Sequence, residues 1–435
     1  MSRKLQHGAA IAAVALAMVA GCGITAEAGP GSAGSDEGGR SLEVIGEWTG
    51  AEQANFQKVL NGFTARTHIR VTYTSGGNNV NILLNSRLTG GAPPDVALVP
   101  QPGVVAEYAR KGKLVPLAGD AAAAVSSNYS DAWKRLGVVN GKLYGFFFKV
   151  ANKSIIWYRV DDFAAAGVRP PSTWTDFIST SKTLADSGVT PIAVPAADGW
   201  PITDWFENVY LRVAGSDKYA QLAAHRLAWT DPTVVRALTV LGGYFGTPNT
   251  IEKGATQLTF TQAIADVFGQ RPKAAMLYEG DFVAGEISKL GAARVGGDAK
   301  LFTFPSIDGS APAVVSAGDE AVQFRDSPGA RALMAYLASP EAAKIWAQAG
   351  GFLSANSKLD LSAYPDESSR AMAQALVTSS LVQFDMSDQT PQAFGGQAGA
   401  DEWQLLTDFV AHPGDPTATA AALEAAAARD YGSRS

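Results

Sequence analysis

The residues in this chain best suited to chemistry are carboxylates set beside indole rings. Asp198-Gly199-Trp200 is followed closely by Asp204-Trp205-Phe206-Glu207, and Glu47-Trp48 repeats the pairing near the start of the folded region. An aromatic ring can lie against the apolar C–H face of another ring. A neighbouring carboxylate, amide or lysine can then hydrogen-bond the polar groups on the rim, and bonds with a charged partner are the strong ones. Trp200, Asp204 and Trp205 therefore form a candidate clamp; the alternative is that Trp205, Phe206 and Tyr210 make the buried face of a helix. Lys149 and Lys153 interrupt an apolar stretch, where a lysine either snorkels to solvent or serves a site. Gly351 and Phe352 offer backbone amides at a helix end, although a glycine cap explains the glycines equally well. Asp385 and Asp388 can reach hydroxyls or cap a turn.

Other chemistries find little support. The four histidines (His7, His68, His225 and His412) are widely spaced, and Cys22 is the only cysteine. Zinc spacings such as HExxH are absent, as are a GxSxG elbow and a Walker loop. Neither a metal nor a cofactor is expected. A net charge of −6 argues against nucleic acid as a partner, which calls for basic stripes.

The elements that must position these residues follow from periodicity. Residues 42–48 alternate as a strand, and Phe56, Val59, Leu60 and Phe63 recur at helical spacing over residues 51–67. Strands at 69–73 and 94–99 alternate with helices at 80–89 and 104–111, a rhythm that predicts a parallel sheet covered on both faces. Glu47 and Trp48 end the first strand and Gln101 follows the third, where open α/β sheets place their ligand crevice. Further strands are expected at 154–158, 192–194, 274–278 and 301–304, and helices at 174–187, 328–338 and 341–350. Trp133, Trp157, Trp174, Trp229 and Trp346 are expected in the core.

The first residues are a processing signal. Arg3 and Lys4 precede an apolar run over residues 9–20 that is too short for a hydrocarbon core needing roughly 20 residues. Val19-Ala20-Gly21-Cys22 resembles a bacterial lipobox, so residues 1–21 are expected to be cleaved and Cys22 to carry lipid. Residues 22–40, rich in Gly, Ala and Ser, read as a flexible tether. About 395 residues remain beyond it, more than one core usually organises. The expected location is the outer face of a cell membrane.

Several short motifs, in order, resemble the carbohydrate-binding subunits of ABC importers, the group that includes maltose-binding protein. They are Ala92-Pro93-Pro94-Asp95-Val96, Gly141-Lys142-Leu143-Tyr144-Gly145 with Ile155-Ile156-Trp157-Tyr158, and Gly167 through Phe177 (GVRPPSTWTDF). Lys273-Ala274-Ala275-Met276 with Gly280 is similar to another, with Pro272 in place of a glycine and Phe282 in place of a tryptophan. Ser339-Pro340-Glu341 and Gly350-Gly351-Phe352-Leu353 complete the set, and Phe384 through Gln389 resembles the alpha-glucoside branch.

The resemblance implies a two-lobed periplasmic-binding-protein-like α/β fold of type II, with the ligand between the lobes. Crossings are implied near Val150, from Val314 to Gly318, and near Ser339. The N-terminal lobe would comprise 41–150 and 316–338, and the C-terminal lobe 151–315 and 339–435. It also implies ligand roles for Asn152, after the first crossing, and Asp281, after the Ala-Met strand. The implied function is capture of a neutral mono- or oligosaccharide, an alpha-glucoside in particular, by a monomer that docks on membrane permease subunits and is not an enzyme. Two alternatives stand beside it: a lipid-anchored glycoside hydrolase, whose carboxyl pair would lie roughly 5–9.5 Å apart, and a binder of polyols or glycerophosphodiesters. A phosphate ligand would want several arginines in the cleft, and few suggest themselves.

Overall fold

Twelve strands divide between two main sheets and a small hairpin in the computed structural model, which describes residues 41–378 and 382–432. Cys22 and the residues expected to form a leader and a tether lie outside the described residues. The first sheet holds β1 (Ser41–Gly46), β2 (Arg70–Ser75), β3 (Val96–Val99), β6 (Gly145–Asn152), β11 (Val314–Gln323) and β12 (Val382–Phe384). β2, β1 and β3 run parallel, as the alternation of strand and helix predicts. β11 is antiparallel to both β3 and β6 and parallel to β12. β4 (Val138–Val139) and β5 (Lys142–Leu143) form the hairpin that leads into β6.

The second sheet has the order β10 (Ala299–Thr303), β7 (Ile155–Arg159), β9 (Ala274–Tyr278), β8 (Thr190–Ala193). Between β6 and β7 only Lys153 and Ser154 intervene, so the chain passes from one sheet to the other almost without a loop. Among the described residues no helix is long and apolar enough to cross a membrane.

Two large apolar cores accompany the sheets. Phe56, Val59, Leu60 and Phe63 on the Gly50–Thr67 helix are buried against the first sheet, as their spacing requires. The second core gathers Trp205, Phe206, Tyr210 and Trp229 with Phe177 and Tyr244. Helix starts are capped from the sequence: Thr173 accepts from the Asp176 N–H, and Thr259 and Gln262 form a reciprocal capping box.

One boundary differs from expectation. The chain does not leave the first lobe near Ser339, because Trp346, Phe352, Leu353 and Tyr364 all lie in the first core. Trp346 meets Trp48 edge-on, with ring centroids 4.7 Å apart. The chain returns to the first sheet as β12, and only from Met386 onward do its apolar residues join the second core. Two buried indoles in contact fix the helix Pro340–Ala347 to the first lobe more strongly than a Ser-Pro boundary can direct it elsewhere. Replacing Trp346 with Ala is expected to cost about 3–5 kcal/mol of stability, through the lost burial and the cavity left behind. Urea unfolding followed by circular dichroism should show a lower midpoint.

Candidate ligand-binding site

A cavity of about 160 Å³ opens between the carboxyl ends of β1 and β3 and the second lobe. A single water needs only about 10–15 Å³, so the space suits a ring-sized ligand. Its floor is β6 against β11. Lys149 and Ala151 share one face of β6 and Lys153 continues their spacing, since side chains two apart point the same way. Lys149 is the cross-strand neighbour of Asp319, beside a bulge where β6 carries one extra residue, Phe148, against β11.

Three aromatic rings form one wall. Trp200 stands 5.2 Å from Phe260 and 6.1 Å from Phe282 between centroids, and Phe260 and Phe282 are 5.7 Å apart. Trp200 begins its helix directly after Gly199, whose φ of +80° suits glycine and where a Cβ would sit 2.9 Å from the Cβ of Trp403. The Lys153 ammonium lies 5.1 Å from the Trp200 ring centre, and Lys149 lies 5.2 Å from that of Phe282.

The opposite side is polar and densely charged. Lys149 pairs with Glu52 at 2.9 Å. Burial works against its charge, but Glu52, Asp319 and Asp281 outweigh that and raise its pKa. Glu47 is pushed well above the usual carboxylate range by burial, with Asp319 and Glu52 adding to the effect. Burial also raises Asp319, to about 6, against the pull of Lys149. Asn81 donates to Gln101 at 2.6 Å, and Asp388 is raised by burial and by Asp385. Beneath this layer Lys153 donates to Asp204 at 3.0 Å and to Asp385 at 2.8 Å. Burial raises Asp204 well above its usual value, while for Asp385 Lys153 overcomes burial and holds the pKa near 2.

Asp204, Glu207 and Asp385 bring carboxylate oxygens within 4.8 Å of one another, the spacing of a metal site. Most of their partners are already supplied: Lys153 faces two of them, and Glu207 accepts from the Met386 and Ser387 N–H groups and the Tyr219 hydroxyl, while Asp204 Oδ2 accepts from none. The donor set therefore reads as an ion cluster holding β12 and its sequel to the second lobe.

Glu47, Gln101, Lys149, Lys153, Trp200 and Asp388 line this cavity. The other expected residues lie elsewhere. Trp48 is in the first core and donates its indole N–H to Asp319. Trp205 is fully buried among Tyr244, Phe245, Tyr278 and Phe304, so the helical-face alternative describes it and the clamp does not. Asp204 and Asp385 lie below Lys153. Asn152 turns its side-chain oxygen to the Ser154 N–H. Asp281 accepts the Asn152 N–H at 2.7 Å and, with Gly351 and Phe352, lines a second cavity behind the Phe282 turn. Sequence reasoning missed Glu52, Asn81, Phe260, Asp319 and Trp403 as lining residues. Only Asn81 carried a local signal, as a polar residue buried between Val80 and Leu84 on its helix.

Buried carboxyls with raised pKa values set the pH response. Asp281 and Asp319 titrate near 6 and Glu279 near 8 in the fold, each raised mainly by burial. The folded state then binds protons more tightly than the unfolded chain, so their contribution is complete below about pH 4 and is lost as pH rises through 6 to 8. Asp385 acts oppositely, and its contribution is lost below about pH 4 towards 2. The melting temperature is expected to be higher at pH 5 than at pH 8; scanning calorimetry in buffers of equal ionic strength checks this.

Comparison with known proteins places the chain. Residues 47–344 match the model of the family described as bacterial extracellular solute-binding protein. The chain is 33% identical to the osmoprotective compounds-binding protein GgtB of Synechocystis, over 89% of this chain and 92% of that one. It is 30% identical to the alpha-glucosides-binding periplasmic protein AglE of Rhizobium meliloti, over 87% of this chain and 85% of that one. The crystal structure of the bacterial solute receptor AcbH superposes with a TM-score of 0.77 at 21% identity, covering 89% of this chain and 98% of that one. The fold is that of the two-lobed binding proteins, and with a family match spanning most of its length the chain belongs to the bacterial extracellular solute-binding proteins.

Proposed function

We propose that this protein captures a neutral mono- or oligosaccharide, an alpha-glucoside in particular, for an ABC importer, and holds it by closure of the two lobes. The observation that carries this reading is the wall of Trp200, Phe260 and Phe282 facing the carboxylates and lysines across one cavity. A sugar ring has an apolar face for the wall and hydroxyls for the rim. Among the described residues no arginine lines the cavity, which disfavours a phosphate-bearing ligand such as a glycerophosphodiester. Kinship with an alpha-glucosides-binding protein supports the ligand class, and kinship with an osmoprotective compounds-binding protein supports a second reading, a small polyhydroxylated osmoprotectant. Binding without catalysis fits relatives that are solute-binding proteins.

In this reading the protein stays outside the membrane, tethered by lipid on Cys22, and docks on permease subunits as a monomer. Replacing Cys22 with Ser should move the protein from the membrane fraction to the medium; retention on the membrane would refute the anchor.

Titration calorimetry against maltose, trehalose, sucrose and galactose tests the ligand class, and it fails if none of the alpha-glucosides binds. Replacing Trp200 with Ala is expected to weaken binding at least tenfold, about 1.4 kcal/mol, with little change in melting temperature. Trp205→Ala should do the reverse in part, lowering stability by about 3–5 kcal/mol as a core truncation.

A further inference from the structure

The two lobes also touch at the mouth of the cleft, and the contact has an unusual origin. The helix Gly50–Thr67 begins after Thr49, whose backbone has capping geometry but whose side chain caps nothing. The first backbone N–H groups of any helix lack partners within it and call for an acceptor. Here the acceptor comes from the other lobe: the Ala51 N–H donates to Glu286 Oε1 at 3.3 Å. Glu286 lies on the helix Val283–Leu290, which is buried in the second lobe through Val283 and Ile287. Gly50 has φ of +54°, and a Cβ there would sit 2.6 Å from Lys289 Nζ and 3.1 Å from Glu286 Oε1. Both atoms are the far ends of flexible side chains, so it is the positive φ rather than the space that favours glycine here.

A second strut spans the same mouth. Asn78, just after β2, donates to Asp198 Oδ1 at 3.0 Å, and the other oxygen of Asp198 accepts the Phe260 N–H at 2.6 Å. Asp198 thus joins the first lobe to the backbone of a residue in the aromatic wall, without itself lining the cavity.

We infer that Glu286 and Asp198 are closure-setting positioning residues: carboxylates of the second lobe that engage donors of the first only when the cleft is shut, so that the closed form is held partly by the protein itself. Opening the lobes withdraws the cap from the Gly50–Thr67 helix and releases Asn78. A negative group at a helix N-terminus satisfies a donor and meets the positive end of the helix dipole. Ligand then has less work to do, because apparent affinity scales with the fraction of molecules already competent to bind.

The test is made without ligand, so it stands whether or not an alpha-glucoside binds. Because Cys22 is the only cysteine, a Cys22→Ser chain accepts a dye pair at Lys58→Cys and Ser179→Cys, one position on each lobe. Single-molecule energy transfer then reads the closed-to-open ratio. Glu286→Ala is expected to lower that ratio about tenfold, equivalent to about 1.4 kcal/mol. Glu286→Gln keeps an acceptor oxygen but loses the charge, and should recover part of the loss. Asp198→Ala, read the same way, should shift the ratio in the same direction and serves if a Glu286 variant fails to fold. Ratios equal to that of the parent chain in both alanine variants would overturn the inference.

Discussion

One buried ammonium holds this molecule together at its centre. Lys153 is one of two residues between β6 and β7, and its charge can stay in the interior only because Asp204 and Asp385 face it. An unpaired ion there would cost several kcal/mol. Asp204 belongs to the long helix of the second lobe, and Asp385 follows β12 of the first sheet, so three distant stretches of chain must converge on one point. The same lysine faces the Trp200 ring. The joint between the lobes and one wall of the cavity are therefore set by a single interaction.

Around that point the cleft is built in layers. The upper layer, with Lys149, Glu52, Asp319 and Glu47, faces the cavity; the lower, with Asp204, Asp385 and Glu207, ties the backbone together. Carboxylates outnumber lysines in both, and burial raises Glu47, Asp204 and Glu207 well above the usual carboxylate range. The aromatic wall supplies the apolar half of the surface.

Much of the architecture was legible because it is local. The apolar spacing of Phe56, Val59, Leu60 and Phe63 and the buried run Val96–Val99 fix a helix and a central strand with little help from elsewhere. The ten-residue strand β11 was harder to read, since Ser316, Gly318, Asp319 and Glu320 break its apolar run. Ser316 donates to the Ala151 carbonyl on β6 and Asp319 accepts from the Trp48 indole, partners remote in sequence that leave no periodic trace, while Glu320 is buried with neither side-chain oxygen hydrogen-bonded.

The site divides along the same line. By itself the sequence determined that carboxylates and indoles gather near Trp200, that Lys149 and Lys153 interrupt an apolar strand, and that Glu47 and Gln101 follow strands of a parallel sheet. Tertiary structure alone decided which indole faces the cavity. Trp200 and Trp205 lie five positions apart on one helix, more than a full turn, so they point to different sides: one to the cleft and one into the core. It also decided that Asp281, Gly351 and Phe352 serve a neighbouring cavity and that Glu286 caps a helix of the opposite lobe. The reason is physical: a residue's type sets what it can bind, but the packing of elements remote in sequence sets what it can reach.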